Sequence, residues 1–242
     1  KPLTVSATGI DKVYDGTTVA TVTLSGDRVA GDVLTVAYGA AAFADKNVGT
    51  GKPVSVTGIT VTGDDSGNYT FNATAATTAA ITAKPLTVSA TGIDKVYDGT
   101  TTASVTLGDD RVEGDILVLA YGAAAFADKN VGVDKPVSVT GITVTGTDAG
   151  NYTFNTGAST VADITAKALT VSATGIDKVY DGTTTATVTL GDDRVAGDVL
   201  TVAYGAAAFT DKNVGVDKPV SVTGITVTGT DAGNYTFNTG AS

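Results

Sequence analysis

The side chains that could carry chemistry in this sequence are carboxylates, tyrosines and lysines. The chain has no Cys, Met, Trp, His or Gln. Thiolate nucleophiles, disulfides, cysteine metal sites and the commonest general base are therefore missing. This composition argues against most enzyme classes, so we predict a protein that is not an enzyme and has no organic cofactor.

Acidic side chains group at two places and suggest calcium as a ligand. The candidate oxygen donors are Asp109, Asp110, Asp115, Asp192, Asp193 and Asp198. Calcium is a hard cation that prefers carboxylate and carbonyl oxygens. Neither the EF-hand pattern nor the nonapeptide calcium repeat is present, however, and Arg111 and Arg194 stand beside these acids as competing partners. We interpret the groups as solvated acidic turns, with calcium binding as the alternative and no other metal expected.

A Tyr-Asp-Gly triplet occurs three times. Its members are Tyr14, Asp15 and Gly16, then Tyr97, Asp98 and Gly99, then Tyr180, Asp181 and Gly182. Asp-Gly indicates a tight turn, because Gly accepts positive φ and Asp can bond its own backbone two residues on. We therefore interpret the triplet as structural, with ligand or ion contact as the alternative. Lys12 and Lys46, with the asparagines, leave a Lys-Asn isopeptide crosslink as a further alternative.

The whole sequence consists of three tandem copies of one repeat. The stretch beginning at Lys1 returns at Lys84 and again at Lys167, a step of 83 residues without insertion or deletion. This period exceeds the length of a solenoid repeat and suffices for a separate core. We predict domains at 1–83, 84–166 and 167–242, the third truncated at its C-terminus. Because no flexible spacer separates them, an elongated, semi-rigid rod is expected.

Strand patterns fill each copy. Leu3, Val5 and Ala7 alternate with polar residues, as expected of a half-buried strand. The inward phase changes at Gly58, which predicts a β-bulge or a sharp bend there. About seven short strands per copy favour an all-β array of three Ig-like β-sandwich-type domains. A β-grasp-like unit with a short helix near residues 40–44 is the alternative.

A second tyrosine also recurs in each copy. Tyr69, Tyr152 and Tyr235 each end an Asp-x-Gly-x-Tyr stretch, which is similar to the tyrosine corner of immunoglobulin-like domains. In that feature the tyrosine hydroxyl bonds upstream backbone. Phe71 stands where an antibody domain has its second Cys, so any sandwich here has a Tyr/Phe core.

The net charge of the chain argues against polyanionic partners. Lys and Arg number 15 against 25 Asp and Glu, for a net charge of -10. This field repels polyanions, so nucleic acid and anionic membranes are not expected as partners. No apolar run approaches the roughly 18 residues of a spanning helix, so we expect no membrane insertion by this fragment.

The ordered motifs resemble a known family. Lys12 to Thr18, Phe43, Asn47 to Gly49 and Gly67 to Tyr69 together resemble the YDG-type β repeats of bacterial filamentous-haemagglutinin-like surface adhesins. The resemblance implies an extracellular location and a stalk or spacer that projects an adhesive region from the cell. Its partners would then be the adjacent repeats, and it supplies no catalytic residues. The alternative is that the repeats themselves bind carbohydrate or a host or matrix protein, through residues such as Tyr14 and Tyr38.

Overall fold

A computed structural model describes all residues from Lys1 to Ser242, and they form an all-β protein. The three helical segments are single-turn 3-10 helices at Ser66–Asn68, Ala149–Asn151 and Ala232–Asn234. None of these helices has the length or the apolar character needed to cross a bilayer. Thr and Val dominate the strands because branched side chains fit a pleated surface that is buried on one face.

The first copy contains ten strands. They are β1 (Pro2–Leu3), β2 (Val5–Ile10), β3 (Lys12–Val13), β4 (Thr21–Gly26), β5 (Thr35–Ala37), β6 (Ala40–Phe43), β7 (Gly49–Thr57), β8 (Thr60–Thr62), β9 (Thr70–Phe71) and β10 (Thr74–Thr82). The second copy has the counterparts β11 (Lys84–Leu86), β12 (Val88–Ile93), β13 (Lys95–Val96), β14 (Ser104–Asp109), β15 (Val118–Ala120), β16 (Ala123–Phe126), β17 (Gly132–Thr140), β18 (Thr143–Thr145), β19 (Tyr152–Phe154) and β20 (Gly157–Thr165).

The third copy contains nine strands. They are β21 (Lys167–Leu169), β22 (Val171–Ile176), β23 (Thr187–Asp192), β24 (Thr201–Ala203), β25 (Ala206–Phe209), β26 (Val220–Thr223), β27 (Thr226–Thr228), β28 (Tyr235–Phe237) and β29 (Gly240–Ala241). No strand corresponds to β3, and β29 is the short counterpart of β10.

The chain packs as two compact units whose limits fall inside the second copy. Unit 1 comprises Lys1–Ser89, Leu107–Ala120 and Ile142–Thr156. Unit 2 comprises Ala90–Thr106, Tyr121–Gly141 and Gly157–Ser242. Unit 1 thus holds all of the first copy with part of the second, and unit 2 holds all of the third copy with the rest of the second.

The sheets of the first copy show how the strands are arranged. One four-stranded sheet has the order β3-β10-β7-β6, and three two-stranded sheets pair β2 with β4, β5 with β8 and β1 with β9. The β10–β7 and β7–β6 pairings are antiparallel, whereas β10 runs parallel to β3. Buried side chains from these sheets, among them Leu3, Val54, Val56 and Ile81, form the core.

The chain changes sheet at Gly58, which confirms the predicted bend. Strand β7 ends at Thr57 in the four-stranded sheet, and β8 begins at Thr60 in the pair with β5. Gly58 has a φ of 67°, and its carbonyl accepts a hydrogen bond from the amide of Gly39 at 3.0 Å. The side-chain phase shifts because residues on either side of the bend belong to different sheets.

The short helix of the β-grasp-like alternative is not formed, and this expectation was wrong. Residues Ala40–Phe43 are strand β6, which pairs antiparallel with β7 from Ala40 opposite Thr57 to Phe43 opposite Val54. Ala41 and Phe43 are buried while Ala40 and Ala42 are exposed. This alternation has the period of a strand, so three consecutive alanines do not make a helix here.

Candidate functional site

The tyrosine of the first Tyr-Asp-Gly triplet is buried against the following copy. Tyr14 comes directly after β3, and its amide donates a hydrogen bond to the carbonyl of Thr82 at 2.8 Å. Its side chain is 2% exposed. The hydroxyl donates to the carboxylate of Asp115 in the second copy, 2.8 Å from Oδ2. Both residues lie in unit 1, so this contact joins two copies inside one compact unit.

Asp115 accepts hydrogen bonds from three side chains. Besides Tyr14, the hydroxyl of Tyr152 donates to Oδ2 at 2.6 Å and the ammonium of Lys46 donates to Oδ1 at 2.9 Å. Asp115 is 7% exposed, and a buried carboxylate requires such partners. Burial acts to raise its pKa, but the donors Tyr152, Lys46 and Tyr14 together outweigh burial, so the pKa lies below its ordinary value. The carboxylate therefore stays ionised at neutral pH.

Lys46 connects two carboxylates of the second copy. Its ammonium lies 2.9 Å from Asp115 Oδ1 and 2.9 Å from Asp148 Oδ1, and 5.8 Å from the centre of the Tyr14 ring. The hydrogen bonds to Asp148 and then to Asp115 raise the pKa of Lys46 well above its usual value. The amine is therefore held protonated, a state that cannot attack an amide carbon to form an isopeptide bond.

We name this set of residues, Tyr14, Lys46, Asp115, Asp148 and Tyr152, the first anchor. The rings of Tyr14 and Tyr152 meet edge to face, with centroids 5.5 Å apart. Such contacts add stabilisation beyond the buried area. The hydroxyl of Tyr152 also accepts a hydrogen bond from the amide of Val112 at 2.9 Å, and burial followed by the bond to Asp115 raises the pKa of Tyr152 to about 12.

A backbone contact supports the first anchor. Asn151, which is buried, accepts a hydrogen bond at Oδ1 from the amide of Val48 at 2.9 Å. Its side-chain nitrogen donates to Asn47 Oδ1 at 3.4 Å. The loop after Lys46 is thus held to the 3-10 helix Ala149–Asn151 of the next copy. These side chains have no buried polar atom without a partner.

The same arrangement recurs in unit 2 as the second anchor. Its members are Tyr97, Lys129, Asp198, Asp231 and Tyr235. The hydroxyls of Tyr97 and Tyr235 lie 2.9 Å and 2.5 Å from Asp198 Oδ2. Lys129 lies 2.8 Å from Asp198 and 2.9 Å from Asp231. Two independent occurrences indicate that the arrangement belongs to the repeat and not to one accidental contact.

The aspartate and glycine of the triplet act within their own copy. Asp15 Oδ1 accepts hydrogen bonds from Lys12 Nζ at 2.7 Å and from the amide of Thr17 at 2.9 Å, which is the local turn expected of Asp. Gly16 has a φ of 79°, and a Cβ built on it would lie 2.8 Å from Val112 Cγ1 of the next copy. Asp98 and Asp181 make the same turn contacts.

The third triplet has the turn but no anchor. Tyr180 is 57% exposed, although Asp181 still accepts the amide of Thr183 at 2.9 Å. Tyr69, the counterpart of Tyr152 in the first copy, donates to Asp32 at 2.6 Å and accepts the amide of Val29 at 2.9 Å. The half of the anchor that belongs to the following copy is therefore already formed where no preceding copy contacts it.

The tyrosine-corner resemblance holds at the level of one hydrogen bond. The hydroxyls of Tyr69, Tyr152 and Tyr235 do accept backbone amides upstream. The bonded amide lies 40 positions earlier in the chain, whereas an immunoglobulin-type corner closes over a few residues. Here the tyrosine joins two distant segments of its copy.

The six candidate calcium ligands bind different partners within the protein. Asp109 and Asp192 pair with the guanidinium groups of Arg111 and Arg194. Asp110 and Asp193 accept the amides of Thr87 and Thr170, each at 2.7 Å. Asp115 and Asp198 belong to the anchors. The structure contains no group of three acidic side chains placed to hold a metal ion.

Sequence reasoning missed the role of several anchor residues. Lys46 was considered only as a crosslink candidate, and Asp148 only as the first residue of an Asp-x-Gly-x-Tyr stretch. Tyr14, considered for carbohydrate contact, is buried at the anchor and is not accessible to a glycan. Their recurrence does not single them out, because the whole sequence repeats at the same step of 83 residues.

A family model described as the YDG domain matches the chain three times, at residues 1–79, 82–160 and 165–242. The chain therefore belongs to the YDG domain family. No curated protein and no solved structure matches it.

Proposed function

We propose that these three YDG domains are non-enzymatic spacer repeats of a bacterial surface adhesin of the filamentous-haemagglutinin-like type. In this proposal they form an extracellular stalk of Ig-like β-sandwich-type repeats, elongated as a rod, and project an adhesive region away from the cell. The single observation that carries the proposal is the anchor, in which buried side chains of two successive copies hold each other.

The anchor supports stiffness because it uses charge-assisted hydrogen bonds in a buried setting. Asp115 receives two tyrosine hydroxyls and one ammonium, and such bonds are shorter and stronger than neutral ones. Rotating one copy against the next would leave the Asp115 carboxylate with Tyr152 as its remaining side-chain donor, because its bonds to Tyr14 and Lys46 would break, which is costly. A hinge between two copies would therefore have to break all the bonds that join them.

The chain between copies supports the same proposal. Strand β10 ends at Thr82 and β11 begins at Lys84, so one residue, Ala83, separates them. Strand β20 ends at Thr165 and β21 begins at Lys167. A linker of this length has no slack with which to act as a flexible coil. A spacer needs this property, because the reach of the stalk depends on fixed angles between successive domains.

The chemistry of the anchor also favours a structural role. Its carboxylate has all its donors within the protein, and its lysine is protonated. The side chains that usually serve as general base or thiol nucleophile do not occur in the sequence. The groups that are present thus suit cohesion between copies better than turnover of a substrate.

Distances between spin labels test the proposal. Because the chain has no cysteine, Cys can be introduced in pairs at the exposed, equivalent positions Thr60, Thr143 and Thr226. Double electron–electron resonance on each successive pair should give one narrow distance distribution. Asp115→Ala should broaden the Thr60 to Thr143 distribution and leave the Thr143 to Thr226 distribution unchanged. A broad distribution in the chain without Asp115→Ala would contradict a spacer.

A further inference from the structure

The first copy holds its beginning and its end side by side. Residues 2–14 open the copy and residues 70–82 close it. Strand β1 pairs parallel with β9, and β3 pairs parallel with β10, where Val13 lies opposite Thr82. The two stretches therefore run in the same direction and are paired at both of their ends. We name them together the terminal pair.

Side-chain hydrogen bonds connect the terminal pair between its two ends. Asn72 accepts the amide of Val5 at 2.8 Å through Oδ1 and donates to the carbonyl of Val5 at 2.9 Å through Nδ2. Farther along, Thr77 Oγ1 accepts the amide of Gly9 at 3.3 Å. The two stretches approach so closely here that a Cβ on Gly9 would lie 2.4 Å from the carbonyl oxygen of Thr78. The terminal pair is thus bonded at intervals along its length.

Further bonds close the terminal pair beside the joint with the second copy. The amide of Ala80 donates to Asp11 Oδ1 at 2.6 Å, and the amide of Tyr14 donates to the carbonyl of Thr82 at 2.8 Å. Ile81, which lies between Ala80 and Thr82 in the chain, is fully buried. Parting the two stretches at this end would therefore break both bonds and expose an apolar side chain.

The same contacts recur in the second copy. Strand β11 pairs parallel with β19, and β13 pairs parallel with β20. Asn155 accepts the amide of Val88 at 2.8 Å and donates to its carbonyl at 2.9 Å. The amide of Tyr97 donates to the carbonyl of Thr165 at 2.8 Å. The second copy has a neighbouring copy on each side along the chain, so these contacts belong to the repeat itself.

Tension along the chain would act on the terminal pair in shear. Strand β10 ends at Thr82 and β11 begins at Lys84, so load passes from one copy to the next through a single residue. Tension pulls the opening stretch of a copy towards its N-terminus and the closing stretch towards its C-terminus. Because the two stretches are parallel, these pulls oppose each other along the strand direction. The bonds between the stretches must then break together, and not one after another.

We propose that the terminal pair is a mechanical clamp that keeps a copy folded under tension without a covalent crosslink. Forced unfolding is governed by the unfolding rate. Resistance to force therefore depends on the contacts that break before the transition state, and not on the total stability of the copy. The use of the clamp rests on the proposed function, because a stalk that carries an adhesive region is pulled whenever the bound cell is pulled away.

Pulling the complete 242-residue chain in two directions with optical tweezers tests the clamp. The chain has no cysteine, so DNA handles can be attached at introduced, exposed cysteines. Thr4→Cys with Thr82→Cys loads the terminal pair in shear, whereas Val13→Cys with Thr82→Cys peels it open from one end, because Val13 lies opposite Thr82. At the same constant force the folded lifetime should be at least about a hundredfold longer in shear, since several bonds must break together. Equal lifetimes in the two directions would overturn the proposal.

Asn72→Ala weakens the clamp between its ends. The variant loses both bonds to Val5, so the lifetime in shear should fall at least about tenfold. Val61→Ala is the matched control, because Val61 is buried in the pairing of β8 with β5 and lies outside the terminal pair. It should lower the melting temperature through lost packing and leave the lifetime in shear unchanged. Equal shortening of the lifetime by the two variants would show that overall stability sets the resistance, and would refute the clamp.

The spin-label distances described above separate the clamp from the spacer proposal. Narrow distance distributions together with equal lifetimes in the two pulling directions would reject the clamp and keep the spacer. Broad distributions together with a long lifetime in shear would reject the stiff spacer and keep the clamp as a property of each copy.

Discussion

Asp115→Ala should release the Tyr14 segment, which lies 101 positions away in the sequence. The substitution removes the acceptor of two buried tyrosine hydroxyls and one of the two acceptors of Lys46. Hydrogen bonds to a charged group contribute about 1.5–3 kcal/mol each. The Lys46 ammonium is 36% exposed and keeps Asp148, so the loss of its bond to Asp115 adds little. The Tyr152 hydroxyl belongs to the same copy as Asp115, so the Tyr14 hydroxyl alone counts here and gives a loss of about 1.5–3 kcal/mol in the free energy of opening of the Tyr14 segment.

Asp32→Ala is the matched control, because Asp32 is the counterpart of Asp115 in the first copy. It accepts the hydroxyl of Tyr69 and has no tyrosine or lysine from a preceding copy. Its replacement should cost less than Asp115→Ala, and the loss should be confined to the bond of the Tyr69 hydroxyl. The two variants thus separate the local tyrosine bond, which both lose, from the bonds that join copies, which only Asp115→Ala loses.

Hydrogen exchange followed by mass spectrometry measures the effect where it is expected. The amide of Tyr14 bonds to Thr82 and reports local opening. In Asp115→Ala its exchange should accelerate at least about tenfold, the factor that corresponds to about 1.5 kcal/mol. In Asp32→Ala it should not change. Equal protection of Tyr14 in both variants would refute the reasoning that the anchor holds this segment.

Acid should reproduce the substitution without mutagenesis. The pKa of Asp115 in the folded chain lies below its ordinary value of 3.8. A carboxylate with a lowered pKa contributes stability that is complete above the unfolded pKa and is lost as pH falls through the folded one. Protection of the Tyr14 amide should therefore be constant from neutral pH down to about pH 4 and decline below that.

Three further outcomes are expected. Burial and the bond to the anchor carboxylate raise the pKa of Tyr152 and Tyr235 from 10 to about 12. Each tyrosine therefore contributes about 3 kcal/mol to the free energy of unfolding below pH 10, and this contribution is lost between pH 10 and 12. The melting temperature should fall over that pH range, and it should fall less steeply in Tyr152→Phe. Gly9→Ala should destabilise the first copy by about 1–3 kcal/mol in chemical denaturation, because the methyl meets the Thr78 carbonyl, while Gly67→Ala should be neutral. A chelator should leave the melting temperature unchanged, since the acidic candidates already have protein partners; a drop would indicate calcium.

The sequence was informative about everything that depends on neighbours along the chain. The step of 83 residues, the strand alternation around Val5, the bend at Gly58 and the turn at Asp15 are all local patterns, and the structure contains them. Steric restriction and short-range hydrogen bonds act over a few residues, so residue types at those spacings carry the information.

The anchor could not be predicted in the same way. Tyr14 and Asp115 are brought together by the packing of two copies, and no local pattern encodes that distance. The acids near Asp115 in the sequence favoured a solvated turn, with calcium binding as the alternative, yet Asp115 is buried and accepts hydrogen bonds from an ammonium and two hydroxyls. Asp109 looked the same and pairs with Arg111 instead. Both acids are stabilised by cations of the protein.

The third triplet separates the two tasks of Tyr-Asp-Gly. At Asp181 the turn is intact although no following copy contacts it, so the Asp and Gly need only their own segment. Tyr180 is exposed, whereas Tyr14 and Tyr97 are buried under the acid of the next copy. The turn therefore does not depend on a neighbouring copy, whereas burial of the tyrosine does. Each copy thus depends on the next for part of its stability, which is why the compact units cross the boundaries of the sequence repeat.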